Sequence, residues 1–210
     1  GVTNTSWAKF VRDIQGGGNV ATNTAYGTTT LAVNTTGANN TAIGYEALDV
    51  NTTGASNTGV GSGALGANTT GVDNVAVGSQ ALVAATVATG NTAVGKSAAD
   101  AVTTGVNNTA VGLNALGAET TGIQNVALGK DALLVQVGAS SNVAVGTFAM
   151  DANTTGANNV AVGLDSLGGN TTGAANTAVG TSALKPNTTG VDNTAVGHNA
   201  LTLATTASSN

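Results

Sequence analysis

The chain has 210 residues and a formal net charge of −5, with 7% charged and 2% aromatic residues, 31 glycines and no cysteine. So few basic groups argue against a nucleic-acid partner, which wants clustered Lys and Arg, and the lack of cysteine excludes a disulfide framework and thiolate metal sites. A chain dominated by Gly, Ala, Thr, Val and Asn also lacks the large side chains of a broad globular core, so it has to bury many small ones in a thin, regular cross-section.

Residues 1–22 stand apart from the rest. SWAKFVRDIQ, Ser6 to Gln15, places Trp7, Phe10, Val11 and Ile14 at helical spacing, with Ser6 as N-cap and Gly16, Gly17 and Gly18 ending the run. The pattern predicts a short amphipathic helix that caps the first coil of the repetitive body; otherwise the segment is a junction or an assembly contact with another subunit. The amino end shows no basic, apolar and small-residue secretion signal, and no run of about 18 apolar residues marks a membrane span anywhere. An exported protein would therefore be represented by its mature form or by a fragment.

From residue 23 to 210 the chain repeats with a step of 17 residues and no insertion or deletion. Taking Asn23 as position 0 of the first unit, the same phase holds Asn40, Asn57, Asn74, Asn91, Asn108, Asn125, Asn142, Asn159, Asn176 and Asn193. Position 4 is always glycine: Gly27, Gly44, Gly61, Gly78, Gly95, Gly112, Gly129, Gly146, Gly163, Gly180 and Gly197. Such periodicity specifies a solenoid in which each unit contacts only its neighbours. The expected fold is all-β: a single body of eleven coils, on the order of 50 Å long at about 4.8 Å per coil.

Within a unit, positions 0 to 4 alternate as a short strand, with Thr or Val followed by Val at positions 1 and 3, as in Val143 and Val145, and Ala, or Gly at Gly59, at position 2. Both strand faces are non-polar. A thin coil can turn only one inward, so the other needs a cover, most simply another chain. Positions 7 and 8, usually Ala then Leu as in Ala47 and Leu48, read as a second strand segment supplying the main large core contact. NTTG at Asn34, Asn51, Asn68, Asn153, Asn170 and Asn187 reads as a type I turn. Asn and Gly kept at one phase should form ladders along the rod, Asn side chains bonding one above the next and Gly serving corners of positive φ or close approach.

Three further patterns lie on the repeat. Asp49, Asp100 and Asp151 occupy position 9 of every third coil, and the departures VAATVATG, Val83 to Gly90, and LVQVGASS, Leu134 to Ser141, lie 51 residues apart, which reads as duplication of a three-coil block. The NTTG sequences are also N-glycosylation sequons, although turn chemistry alone accounts for their Asn. Finally, the Thr pairs at positions 12 and 13 suggest an ice-binding array, against which stand their consecutive, diverging placement and their location at a turn.

Chemistry is sparse. Titratable groups are scattered, the Asp series would stand roughly 14 Å apart by strand spacing, His198 reads as a solvent-facing corner residue, and neither a phosphate-binding glycine loop nor the calcium-binding nonapeptide occurs. No catalytic, metal or cofactor residue is assigned, and the expected protein is not an enzyme. The last residues, TLATTASSN, stay in phase and present a strand edge; either the sequence continues there or another subunit stacks on it.

NTAVGxxAL joined by NTTGxxN resembles the head repeats of trimeric autotransporter adhesins and the related repeats of bacteriophage and bacterial fibre proteins, over about residues 23 to 210. The resemblance implies a left-handed parallel β-roll, a homotrimer of chains packed side by side, and a place in an extracellular, cell-surface or virion fibre that attaches to a host-surface receptor or glycan. The period is longer than is usual in adhesin heads, and no coiled-coil stalk or membrane anchor accompanies it. A head-to-tail filament subunit is therefore the second expectation.

Overall fold

The computed structural model describes residue 20, residues 22–203 and residues 205–210. Among them lie eleven strands of three residues: β1 (Thr24–Tyr26), β2 (Thr41–Ile43), β3 (Thr58–Val60), β4 (Val75–Val77), β5 (Thr92–Val94), β6 (Thr109–Val111), β7 (Val126–Leu128), β8 (Val143–Val145), β9 (Val160–Val162), β10 (Thr177–Val179) and β11 (Thr194–Val196). They form one parallel sheet in chain order. Register is locked to the repeat, so Thr41 pairs with Thr58, Ala42 with Gly59 and Ile43 with Val60. The chain is a β-solenoid, each coil laid on the one before. The expected helix at Ser6 to Gln15, with Trp7, Phe10, Val11 and Ile14, lies outside the described residues.

The strand faces divide as a thin coil requires. The central Ala turns inward, and Ala42, Ala76, Ala93 and Ala110 are fully buried. The residues on either side of it turn outward, and Val77 and Val94 each leave 37% of their surface exposed and Leu128 44%. The interior is completed by Ala and Leu of positions 7 and 8, such as Ala64 with Leu65 and Ala115 with Leu116, all without exposed surface. Each buried Leu contributes roughly 1.5 to 3 kcal/mol.

Positions 7 and 8 are not a second strand. Ala64 N–H donates to the carbonyl of Gly61 at 3.3 Å and Asn68 N–H to that of Leu65 at 3.0 Å, so two successive turns occupy this stretch. Leu48, Leu65, Leu82, Leu116 and Leu133 have φ between 49° and 57°, a left-handed backbone that cannot extend. Position 6 is left-handed as well, at Glu46, Gln80 and Phe148 among others. For an L residue that conformation costs roughly 1 to 2 kcal/mol, which Leu burial offsets. Coil-to-coil bonding continues regardless, since Leu65 N–H donates to the carbonyl of Ala81 at 3.1 Å.

The NTTG bend lacks the internal hydrogen bond of a closed type I turn, although its Asn side chain bonds the local backbone as expected, Asn34 Nδ2 donating to the carbonyl of Gly37 at 3.0 Å. Its N–H groups bond the next coil: those of Thr35, Thr36 and Gly37 converge on the carbonyl of Thr52 at 2.9, 3.2 and 3.4 Å. At the corner glycines the ladder needs close approach. Gly112 sits at φ 136°, and a Cβ there would stand 2.5 Å from the carbonyl oxygen of Gly129.

Candidate functional site

Two columns of polar side chains run inside the coil. At position 0, Asn40 N–H donates to Oδ1 of Asn23 at 2.8 Å, Asn57 N–H to Asn40 at 2.9 Å and Asn74 N–H to Asn57 at 3.0 Å, and the pattern continues through Asn91, Asn108, Asn125, Asn142, Asn159, Asn176 and Asn193. Each Nδ2 reaches across the coil to the carbonyl of position 14, as Asn40 does to Gly54 at 2.8 Å, and so closes the lap. The second column is the Asn of NTTG: Asn51 Nδ2 donates to Oδ1 of Asn34 and to the carbonyl of Gly54, both at 3.0 Å. These Asn are fully buried.

The two departures from NTTG affect this second column differently. At position 11, Ala85 and Val102 stand where Asn is usual, and Asn68 Oδ1, one coil before Ala85, is buried without a hydrogen-bond partner. Further along, Glu119 and Gln136 replace Asn and restart it. Glu119 is wholly buried. Its Oε1 accepts N–H groups from Thr120 at 2.8 Å, Thr121 at 3.0 Å, Gly122 at 2.6 Å and Gly138 of the next coil at 2.8 Å, and its Oε2 accepts from Gln136 Nε2 at 2.9 Å. Gln136 Oε1 in turn accepts from Asn153 at 3.0 Å. Gly138, at φ 72°, turns its N–H back toward the carboxylate. The cluster is fully satisfied by its own coil and the next, which marks it as structural.

Outside, every described charged side chain but Glu119 occupies position 5, 6, 9 or 16. Lys130 pairs with Asp131 and lies 4.6 Å from the centre of the Phe148 ring; its hydrogen bond holds the Asp131 carboxyl below the usual range. Lys185 pairs with Asp165. Asp49, Asp100 and Asp151 are partly buried, and desolvation raises all three. His198 is exposed, beside Asn199 Nδ2 at 3.0 Å. Among the described residues no group of three or more His, Cys, Asp or Glu is placed to hold a metal ion. The Thr pairs diverge: Thr52 Oγ1 donates to the carbonyl of Thr69 at 3.0 Å, while Thr53 points into solvent. No helix among the described residues is long and apolar enough to cross a membrane.

What remains as a candidate site is the outward face of the sheet. Position 3 presents Ile43, Val60, Val77, Val94, Val111, Leu128, Val145, Val162 and Val179 in one file, flanked by the Thr or Val of position 1. Neither file carries a charged residue. Exposed apolar side chains also occur at positions 5 and 15, as at Leu113, Ile123 and Leu164. No family model, curated protein or solved structure matches this chain.

Proposed function

We propose that this chain is a non-enzymatic structural protein, the rod of an extracellular or virion fibre that assembles with copies of itself through its outward strand face and presents the remaining surface for attachment. The observation that carries the reading is the uncharged Val, Ile, Leu and Thr double file, repeated without interruption from β2 to β10. A contiguous exposed apolar surface of this kind marks an interaction site. Its spacing selects the partner, because ridges recurring once per coil fit the grooves of a surface with the same period, and a second copy supplies one. The charged groups, Glu119 apart, lie at positions 5, 6, 9 and 16, outside both files.

Three copies side by side are the arrangement that the adhesin-like repeat favours, and the mass of the particle in solution tests it. The parent chain should sediment as a discrete trimer. A variant carrying Val77→Lys and Leu128→Lys should sediment as a monomer while keeping its circular dichroism, since both side chains already face outward. An open-ended series of masses would favour end-to-end polymerisation, and a monomeric parent would refute lateral assembly.

A further inference from the structure

The chain carries eight N-x-[ST] sequons among its described residues: Asn34, Asn39, Asn51, Asn68, Asn107, Asn153, Asn170 and Asn187. As peptide sequence they are equivalent acceptors. The fold divides them. Asn39 and Asn107, at position 16, are exposed. The six NTTG asparagines are buried, Asn34 to 1% and the other five completely.

Burial is compounded by the use of the amide itself. In Asn170, Nδ2 donates to Oδ1 of Asn153 at 2.9 Å and to the carbonyl of Gly173 at 3.0 Å, so both N–H bonds are committed. Asn51, Asn68, Asn153 and Asn187 are held in the same two-donor way. N-glycan transfer from a lipid-pyrophosphate sugar forms a bond from Nδ2 to the sugar C1, breaks the bond from C1 to the phosphate oxygen, and removes one amide proton to a base. A modified Asn keeps one N–H where the column uses two, and the sugar ring has to occupy an interior packed with Ala and Leu.

We infer that this chain reaches its fold without N-glycan transfer at its NTTG turns, and that Asn39 and Asn107 alone among its described sequons accept a glycan compatible with the folded coil. Transfer acts on chains that have not yet folded, so a glycosylating secretory pathway would reach all eight sites before burial protects six. The native route of this protein therefore avoids that pathway or the transfer step in it.

Expression in a glycosylating, secreting cell line tests this, with and without an inhibitor of lipid-linked oligosaccharide synthesis. Site occupancy is read by mass spectrometry on the protease-resistant fraction. A second chain carries Thr36→Val, Thr53→Val, Thr70→Val, Thr155→Val, Thr172→Val and Thr189→Val, which removes all six sequons at exposed positions where the protein itself uses Val87. The expected result is folded protein unmodified at the six buried Asn, with a yield that rises several-fold both under the inhibitor and in the six-valine variant. Folded protein carrying a glycan on any of the six, or a six-valine variant whose folded yield in untreated cells does not exceed the parent's, would overturn the inference.

Discussion

Leu116 shows how each coil balances a local penalty against a tertiary gain. Its φ of 57° is unfavourable for a branched, bulky residue, and its side chain is completely buried. The left-handed backbone brings two turns back to back and aims the Leu into the stack, so the burial depends on the conformation that costs energy. Leu116→Ala should retain the strain while losing the packing, and chemical denaturation should report a loss of about 2 to 5 kcal/mol. Asp100 behaves differently. Burial is the largest cause of its raised carboxyl, so the folded state holds the proton more tightly than the unfolded state does. Its contribution is favourable below the ordinary carboxylate range and is lost as pH rises through the raised value. Asp100→Asn should therefore raise the denaturation midpoint at neutral pH, and the gap from the parent should close on acidification; a variant less stable than the parent at neutral pH would contradict this.

At the scale of the coil, the polar columns explain both what was legible in the sequence and what was not. An identical residue at one phase becomes a ladder by stacking alone, which is why Asn40 to Asn193 and Gly44 to Gly197 could be placed from their spacing. The left-handed positions 6 and 8 could not. Position 8 is Leu in most coils, as at Leu48 and Leu65, and position 6 mixes Glu46, Gln80 and Phe148 with Gly63, Asn114 and Asn199, so neither shows the consistent Gly or Asn that normally announces positive φ. NTTG resembled a surface turn because Asn, Thr and Gly favour turns, yet its N–H groups bond the next coil and its Asn faces inward, a choice made by neighbours 17 residues away. The Glu119 cluster was hidden for the same reason: its meaning depends on Gln136 and Gly138 in the next coil. Ala85→Asn should give Asn68 Oδ1 the partner it lacks but leave its own Oδ1 facing Val102 without a donor, so stability should change little, whereas Glu119→Ala should strand the N–H groups of Thr120, Thr121, Gly122 and Gly138 and cost about 3 kcal/mol or more in thermal or chemical unfolding.

Across the whole molecule, stacking coils of small residues removes Ala and Leu from water but leaves the Val file of β2 to β10 outside. Nothing within the described residues of one chain covers that face, and its charge-free double file repeats with the period of the coil itself. Association with further copies would add a second buried layer to a rod whose own interior is only one coil wide, and it accounts for the aliphatic choice at position 3, where a solvated strand would carry polar residues. The protein has no cysteine, so a single introduced thiol reports contact between copies without interference. Val94→Cys, on the outward strand face, and Thr104→Cys, on the exposed turn of the same coil, should be compared under mild oxidation. Rapid interchain disulfide formation through residue 94, and none above the random background through residue 104, is the result expected if strand faces meet. A thiol at 94 that stays reduced, or one that crosslinks no faster than the thiol at 104, would contradict the assembly of this rod through its outward sheet.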